Sequence, residues 1–471
     1  MRPPLLIKNA LRIATMDDAG TELKDADVLI RGRVIVAVGK GLEEDGARVL
    51  DARGCVVIPG MVNTHHHLCQ TLTRATPAAQ DAKLFDWLVY HYTVWRHLTP
   101  EYAALGAQVG LGELLLTGCT TSTDHTYLYP RGLTGLVDAQ IEAAKALGIR
   151  FHPTRGSMSV GSSHGGLPPD DCTQAEEEIL RDGERLVKEY HDNGPYAMTR
   201  VGLAPCAPFS VSPELMKETA AQAKKWGVRV HTHLCETLDE EAYCLEKYKL
   251  RPVDFIESLG WMDSNVWLAH MVHVGDDEIK RLAKAKVGIA HCPSSNFRLG
   301  SGVPPVRKYM DAGVPVGLAV DGSASNDTSD MLGEARQAML VHRVKSGVSS
   351  MPARDALRLA TRGGAAVVGT GRHRLARRRQ GRRRRRLRRQ PARLRGLGRG
   401  PGRRAAVLRR VAPREVDDRQ RPRRRRGRPP GQRRRGRPHA PRQRRLPRPP
   451  AQSRRDRLGV GLSAVDGRAH Q

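Results

Sequence analysis

Residues Pro59–Gln70, PGMVNTHHHLCQ, place three consecutive histidines just after an apolar run, Cys55–Ile58, that Pro59 and Gly60 interrupt. Along an extended strand side chains alternate, so His65 and His67 share one face and His66 takes the other. Two imidazoles on one face can chelate one metal ion. Histidine clusters also occur on solvated loops, so the pair gains meaning from its company. Further along, VRVHTHLCET offers His231, His233 and Glu236, VWLAHMVH offers His270 and His273, and VGLAVDGSASND ends an apolar run at Asp321. Alternation puts His231 and His233 on one side and does not choose between them, although His233 lies nearer the strand end. Three imidazoles and a carboxylate with positions left open for water are the donor set of a catalytic zinc site rather than a closed structural one. Such an ion lowers the pKa of its water and supplies a nucleophile at pH 7.

The elements that must carry these residues follow from periodicity. Short β segments fill residues 4–58: Leu5–Lys8, Leu11–Thr15, Asp27–Ile30, Val34–Val38 and Cys55–Ile58. From Pro59 apolar runs alternate with amphipathic helices over Pro100–Leu116, Leu136–Leu147, Thr173–His191, Pro213–Trp226, Asp239–Tyr248 and Asp277–Lys284. The runs after the opening strand are Thr120–Asp124, Arg150–Thr154, Arg200–Ala204, Val228–His233, Asn265–His270, Val287–His291 and Val314–Asp321. Eight strands alternating with helices predict an α/β fold, a (β/α)8 TIM-like barrel, with a small β-sandwich domain begun by the N-terminal segment. The predicted domains are 1–58, 59–371 and a tail over 372–471. Polar or titratable residues sit where the runs stop: His65, His67, Asp124, His125, Arg155, Cys206, His233, Glu236, His270, His291 and Asp321. Barrel chemistry lies at those ends.

Composition divides the chain. Of its 79 basic and 49 acidic residues, 39 Arg and 5 acids fall after Gly371, leaving 40 basic against 44 acidic in the body. The body is mildly acidic and the tail carries the positive charge. Eight cysteines stand singly without a C-x-x-C pair, which suits a reducing compartment. The N-terminus lacks the layout of a signal peptide and no apolar run has membrane-spanning length, so a cytoplasmic protein without membrane association is expected.

The PG-x-V-N-x-H-x-H strand, the H-x-x-E segment, LAH and the late V-D-G-S resemble the metal-dependent amidohydrolase superfamily, in its branch of aromatic deaminases and triazine hydrolases. The likeness runs from about residue 5 to about residue 370. It implies one divalent metal, zinc, with Fe2+ or Mn2+ as alternatives, bound by His65, His67, His233 and Asp321. It also implies Glu236 as proton shuttle, with His270 and Asp321 positioning and deprotonating the attacking water. The roles make chemical sense, because a ring nitrogen must gain a proton as water adds to the neighbouring carbon and the amine must leave as ammonia. The cytidine-deaminase design is excluded, since no P-C-x-x-C follows an H-x-E and HCPSSN at 291–296 does not supply one.

Within the branch, HHHLCQTLTRATPAAQDAKLFDWL, TRGSMSVG and LAPCAPFSVS resemble members that remove the 2-amino group of 8-oxoguanine to give urate and ammonia. Gln70 and Cys206 would then contact the purine edge, with Arg155 a weaker contact and Glu236 and His270 also facing the substrate. The bland alternative for Cys206 is a small buried residue, and Trp87 and Trp95 fit a helical core face as well as a lid. Guanine deamination and triazine or hydroxytriazine amino- or chlorohydrolysis use the same apparatus with different pocket edges. A homo-oligomer acting on a small heterocycle is expected.

After RGGAAVVGTG the text turns to RHRLARRRQGRRRRRLRRQ, and no Phe, Trp, Tyr, Ile or Lys follows. Family members normally complete the small sheet here with a G-x-L-x-x-G-K-x-A-D stretch, which is missing. A segment this rich in Arg, Pro and Gly cannot bury enough apolar surface to order itself. Its composition is that of a shifted reading frame in GC-rich DNA, or of an arm binding polyanions nonspecifically. The non-enzymatic alternative is therefore an inactive scaffold with a nucleic-acid-binding tail.

Overall fold

The N-terminal segment forms strands β1 (Leu5–Ala14), β2 (Glu22–Arg31), β3 (Val34–Gly39), β4 (Arg48–Asp51) and β5 (Val56–Pro59). In this computed structural model residues 3–130 and 132–370 are described, with the backbone of a short strand at 405–408; the expectations for the rest of the 372–471 tail lie outside the described residues. The two short segments expected at the start are one strand, β1, bent by a register shift between Ile7 and Ala10. β1 pairs antiparallel with β2 and, along its other edge, parallel with β4 and then β5. Residues Ala405–Leu408 pair antiparallel with β5, so the one described stretch of the tail extends the sheet. One face buries Ile7, Ala10, Ile13, Ala26, Val28 and Val57, whereas Leu11, Val36, Val49 and Val56 are exposed.

The chain then crosses into an eight-stranded parallel sheet. Its strands are β6 (Met61–Asn63), β8 (Cys119–Thr126), β9 (Arg150–Ser157), β10 (Gly202–Pro205), β11 (Val230–Leu234), β12 (Val266–His270), β13 (Gly288–His291) and β14 (Val316–Leu318), with two-residue pieces β7 (His66–His67) and β15 (Asp321–Gly322) at the top. Neighbours follow sequence order from β6 to β14. The ring closes where Thr64 N–H donates to the Leu318 carbonyl (3.1 Å), Val320 N–H donates to Asn63 Oδ1 (3.0 Å), and β15 pairs with β7. Each of the eight predicted runs becomes one of these strands.

Strands β10 to β13 are buried at every position, because helices cover the outer face and side chains fill the inside. Helix ends follow local chemistry. Thr99 and Ser212 cap helices that open with Pro100 and Pro213, and Gly148 and Gly227 end theirs in the left-handed region that glycine tolerates. Leu268 faces the outer apolar core, while Trp267 packs inside the barrel with Val62, Ala290 and Val367. Ion pairs from Arg354 to Glu22 and from Arg362 to Asp18 tie the sheet to the last helices. Among the described residues no helix is long and apolar enough to cross a membrane.

Candidate active site

The strand tips gather His65, His67, His233, Glu236, His270 and Asp321, and all six are buried. Two of them depend on an unusual backbone. Alternation along β12 would send His270 outward with Leu268, but its φ of +71° turns it into the mouth. Asp321 has φ +62°. Left-handed backbone at non-glycine residues is costly and is held only where the surroundings over-determine it.

The protons on three of these rings can be placed by following the hydrogen bonds. His67 Nδ1 lies 2.8 Å from the His125 carbonyl and His233 Nδ1 lies 2.7 Å from the Cys206 carbonyl. Carbonyls only accept, so both rings donate from Nδ1 and leave a lone pair on Nε2. His231 Nδ1 donates likewise to the Trp267 carbonyl (2.8 Å), so its Nε2 accepts from His65 Nδ1 (2.7 Å), and the lone pair of His65 also falls on Nε2. His233 thus faces the cluster, and His231 orients His65.

The Nε2 atoms of His67 and His233 are 3.0 Å apart, and Asp321 Oδ1 lies 3.1 Å from His65 Nε2 and 3.3 Å from His67 Nε2. Burial pushes the pKa of all three imidazoles down, and although the Asp321 carboxylate opposes this, neighbouring rings add to it and the net direction stays downward, so protonation does not relieve the crowding. Lone pairs and a carboxylate facing one another at this range need a cation, and the donor set, three imidazole nitrogens and an oxygen, is that of a divalent transition metal. His125 joins the group: one ring nitrogen from each of His65, His67, His125 and His233 lies within 4.8 Å of the others, as do donors of His65, His270 and Asp321. His125 donates to the Ala204 carbonyl through Nε2 (2.9 Å) and stacks on His233.

Beside the cluster, Glu236 Oε2 lies 3.4 Å from His270 Nε2, and Asp321 Oδ2 lies 3.9 Å from it. Burial raises the pKa of the Glu236 carboxyl, with Asp321 adding to the rise and His270 opposing it. Burial opposes charging His270, but the Glu236 and Asp321 carboxylates outweigh it and raise that pKa. Ser301 Oγ donates to Glu236 Oε1 (3.2 Å), Ser295 Oγ donates to Asp321 Oδ2 (2.6 Å), and His270 Nδ1 donates to Asn296 Oδ1 (2.8 Å). Ser295 and Asn296 lie on the short helix Pro293–Arg298 that follows β13. Glu240 holds the loop below Glu236, accepting the N–H groups of Cys235 (3.0 Å) and Glu236 (2.9 Å).

A cavity of about 40 Å3 opens onto this cluster, walled by Leu84, Trp87, Leu88, Phe209 and Leu299, with Gln70, Tyr127 and Cys206 at its edge. Gln70 Nε2 donates to the Tyr127 hydroxyl (3.4 Å) while its Oε1 has no hydrogen-bond partner among the described residues. A Cβ on Gly322 would overlap the Gln70 amide, which explains the glycine. Burial pushes the Cys206 thiol up to about 12, so it stays protonated. Trp87 lines the cavity, whereas Trp95 packs behind it.

Arg155 is not brought to the group. It lies on β9 facing the helix Glu176–Tyr190, where its guanidinium donates to Asp182 (3.0 Å), the Gly156 carbonyl (2.7 Å) and Gln174 (2.8 Å) above the Tyr129 ring. Three further strand-end residues also serve structure. Asp124 accepts the Leu68 N–H (2.6 Å), His291 meets His342 (3.1 Å), and His66 turns away to Ser329 (3.1 Å). Tyr127 needed the fold to reveal it, and so did the part His231 plays in orienting His65.

A barrel closed by parallel strands with histidines and a carboxylate at its carboxyl mouth defines a class of metal-dependent hydrolases, and residues 56–373 match the Amidohydrolase family. This chain belongs to that family. It is 48% identical over 365 residues to the 8-oxoguanine deaminase of Pseudomonas aeruginosa, spanning 77% of this chain and 81% of that protein. An isoxanthopterin deaminase from an unknown prokaryotic organism is 41% identical, with 75% of each chain covered. Among solved structures, atrazine chlorohydrolase from Arthrobacter aurescens TC1, complexed with zinc, is 38% identical with a TM-score of 0.74, covering 78% of this chain and 83% of that one. The chain is accordingly a metal-binding hydrolase that acts on C–N bonds.

Proposed function

We propose that the protein hydrolytically deaminates a purine-type heterocycle, 8-oxoguanine to urate and ammonia, using one zinc ion held by His65, His67, His233 and Asp321. The observation that carries the reading is the convergence of three lone-pair-bearing Nε2 atoms and Asp321 Oδ1 beside Glu236 and His270. Zinc there supplies the Lewis acidity that makes a water nucleophilic at neutral pH.

The remaining work falls to side chains. Asp321 Oδ2 and His270 Nε2 fix the attacking water against C2 of the ring, and Asp321 takes its first proton. A proton on Glu236 Oε2, which burial favours, passes to N3 as the C2–O bond forms; as the C2–N bond breaks, the proton held by Asp321 goes to the amino group, which leaves as ammonia, and the C2 hydroxyl proton returns to Glu236. Gln70 and the Cys206 thiol bind the purine edge, and the apolar wall excludes bulk water. A cavity of about 40 Å3 holds only a few waters, so the ring enters as the Leu84–Leu88 wall gives way. Similarity to the 8-oxoguanine and isoxanthopterin deaminases supports action on a small fused ring, and eight free cysteines support a cytoplasmic setting. A homo-oligomer is part of the same proposal.

Ammonia release from 8-oxoguanine, guanine, isoxanthopterin and hydroxytriazines by zinc-loaded protein tests it. A kcat/KM highest for 8-oxoguanine is expected. A clear preference for guanine or a triazine would replace the substrate and keep the chemistry, and no turnover on any of them would leave the scaffold reading.

A further inference from the structure

The sequence offers two histidines in VWLAHMVH, and the proposed reaction uses only His270. The other, His273, stands shortly after β12 between two loops of the barrel mouth. Its backbone N–H donates to the Cys235 carbonyl (3.0 Å), and the Val272 N–H donates to the same oxygen (2.8 Å). Its ring donates from Nε2 to the Ser301 carbonyl (2.9 Å), since a carbonyl only accepts. One residue thus ties the loop that carries Glu236, the neighbour of Cys235, to the turn that carries Ser301. Those two loops supply the two ends of one buried hydrogen bond, from Ser301 Oγ to Glu236 Oε1 (3.2 Å).

The turn itself is tightly folded. Gly300 and Gly302 flank Ser301 with φ of +67° and +118°, and the Ser301 N–H donates to the Asn296 carbonyl (2.9 Å). A Cβ on Gly302 would lie 3.0 Å from Val272 Cγ1, so the turn packs against the residue before His273. In a protonated carboxyl, the oxygen that accepts a hydroxyl hydrogen is the carbonyl oxygen, and the proton stays on the other. Ser301 therefore occupies Oε1 and leaves Oε2, 3.4 Å from His270 Nε2, as the oxygen that carries the proton.

We propose that His273 is a positioning residue for the acid: its ring N–H holds the 300–302 turn so that the Ser301 hydroxyl occupies Glu236 Oε1 and leaves Oε2 for proton transfer. The inference rests on the reading of Glu236 as proton donor in the deamination above. Kinetics on the best substrate of the panel, with zinc content and melting temperature measured alongside, compare Ser301→Ala, His273→Leu and the double variant. Each single variant is expected to lose about tenfold in kcat with KM and zinc content kept, and the double variant to lose no more than either. Ser301→Thr and His273→Gln, which keep an O–H and an N–H in place, should recover most of the loss. If His273→Leu does not fold, His273→Asn, too short to reach the carbonyl, takes its place. A second arm needs no substrate. The infrared C=O band of protonated Glu236, identified by its loss in Glu236→Gln, should move to higher wavenumber in Ser301→Ala and in His273→Leu, because a carbonyl freed of a hydrogen bond stiffens. Additive losses, a loss confined to KM, or a band that is unmoved or absent in the parent would overturn the proposal. No turnover by a parent whose band shifts as expected would overturn the deamination reading and leave the positioning role standing.

Discussion

The barrel mouth and the N-terminal sheet handle burial in opposite ways. In the sheet, burial follows alternation: Ile7, Ile13 and Val57 point into one core while Leu11 and Val56 face out, and the contribution is hydrophobic. In the mouth, polar groups are buried, and His270 and Asp321 break the strand geometry to get there. The contrast teaches that the mouth stores unfavourable free energy which the rest of the fold must hold. Damage to the mouth should therefore remove chemistry and spare stability, and damage to the sheet should do the reverse.

The sharpest separation is expected from His233→Ala, which removes one Nε2 from the cluster. Metal content by elemental analysis should fall from stoichiometric to near background and turnover with it, while the melting temperature of the metal-free protein stays near that of the metal-free parent. Glu236→Gln should keep its metal and lose about 10²–10⁴-fold in kcat without lowering the melting temperature, because a buried carboxyl is replaced by a neutral isostere. Full activity in that variant would break the assigned proton path.

The sheet supplies the converse. Ile13→Ala should cost about 2–5 kcal/mol by denaturant unfolding, with kcat per folded molecule unchanged. A matching loss of kcat would show that the two regions are not separable. His231→Phe removes the acceptor that fixes the proton of His65, and metal affinity should weaken about 10- to 100-fold, read by competition with a chelator.

The smallest effect concerns pH. Burial pushes the Glu240 carboxyl up to about 7 from an ordinary 4.5, so the folded chain keeps its proton over a range where the unfolded chain has lost it. Stability from this group is whole below pH 4.5 and declines as pH rises to 7. The parent should therefore lose stability relative to Glu240→Gln across that window and run parallel to it above pH 7. A constant difference would mean that Glu240 is ionised throughout.

Much of the barrel was legible because strands buried on both faces read as continuous apolar runs ending in polar residues, and the helices Pro100–Leu116, Leu136–Leu147 and Pro213–Trp226 carry their Pro or Gly boundaries in plain sight. The helix Met331–Ser346 and strand β4 were not foreseen, since the first has little amphipathic contrast and the second is exposed throughout. Arg155 looked like a site residue because it sits near a strand end, yet alternation turned it outward into an ion pair with Asp182.

The sequence by itself determined the donor types and their order along the chain, because metal and proton chemistry restrict which side chains can serve and strand ends restrict where they stand. Only the tertiary structure decided which histidine faces the cluster, which one orients a neighbour, and that His125 and Tyr127 lie beside them. Those outcomes depend on carbonyl oxygens from adjacent strands fixing each ring's proton, and on positive φ angles at His270 and Asp321, which no local spacing encodes.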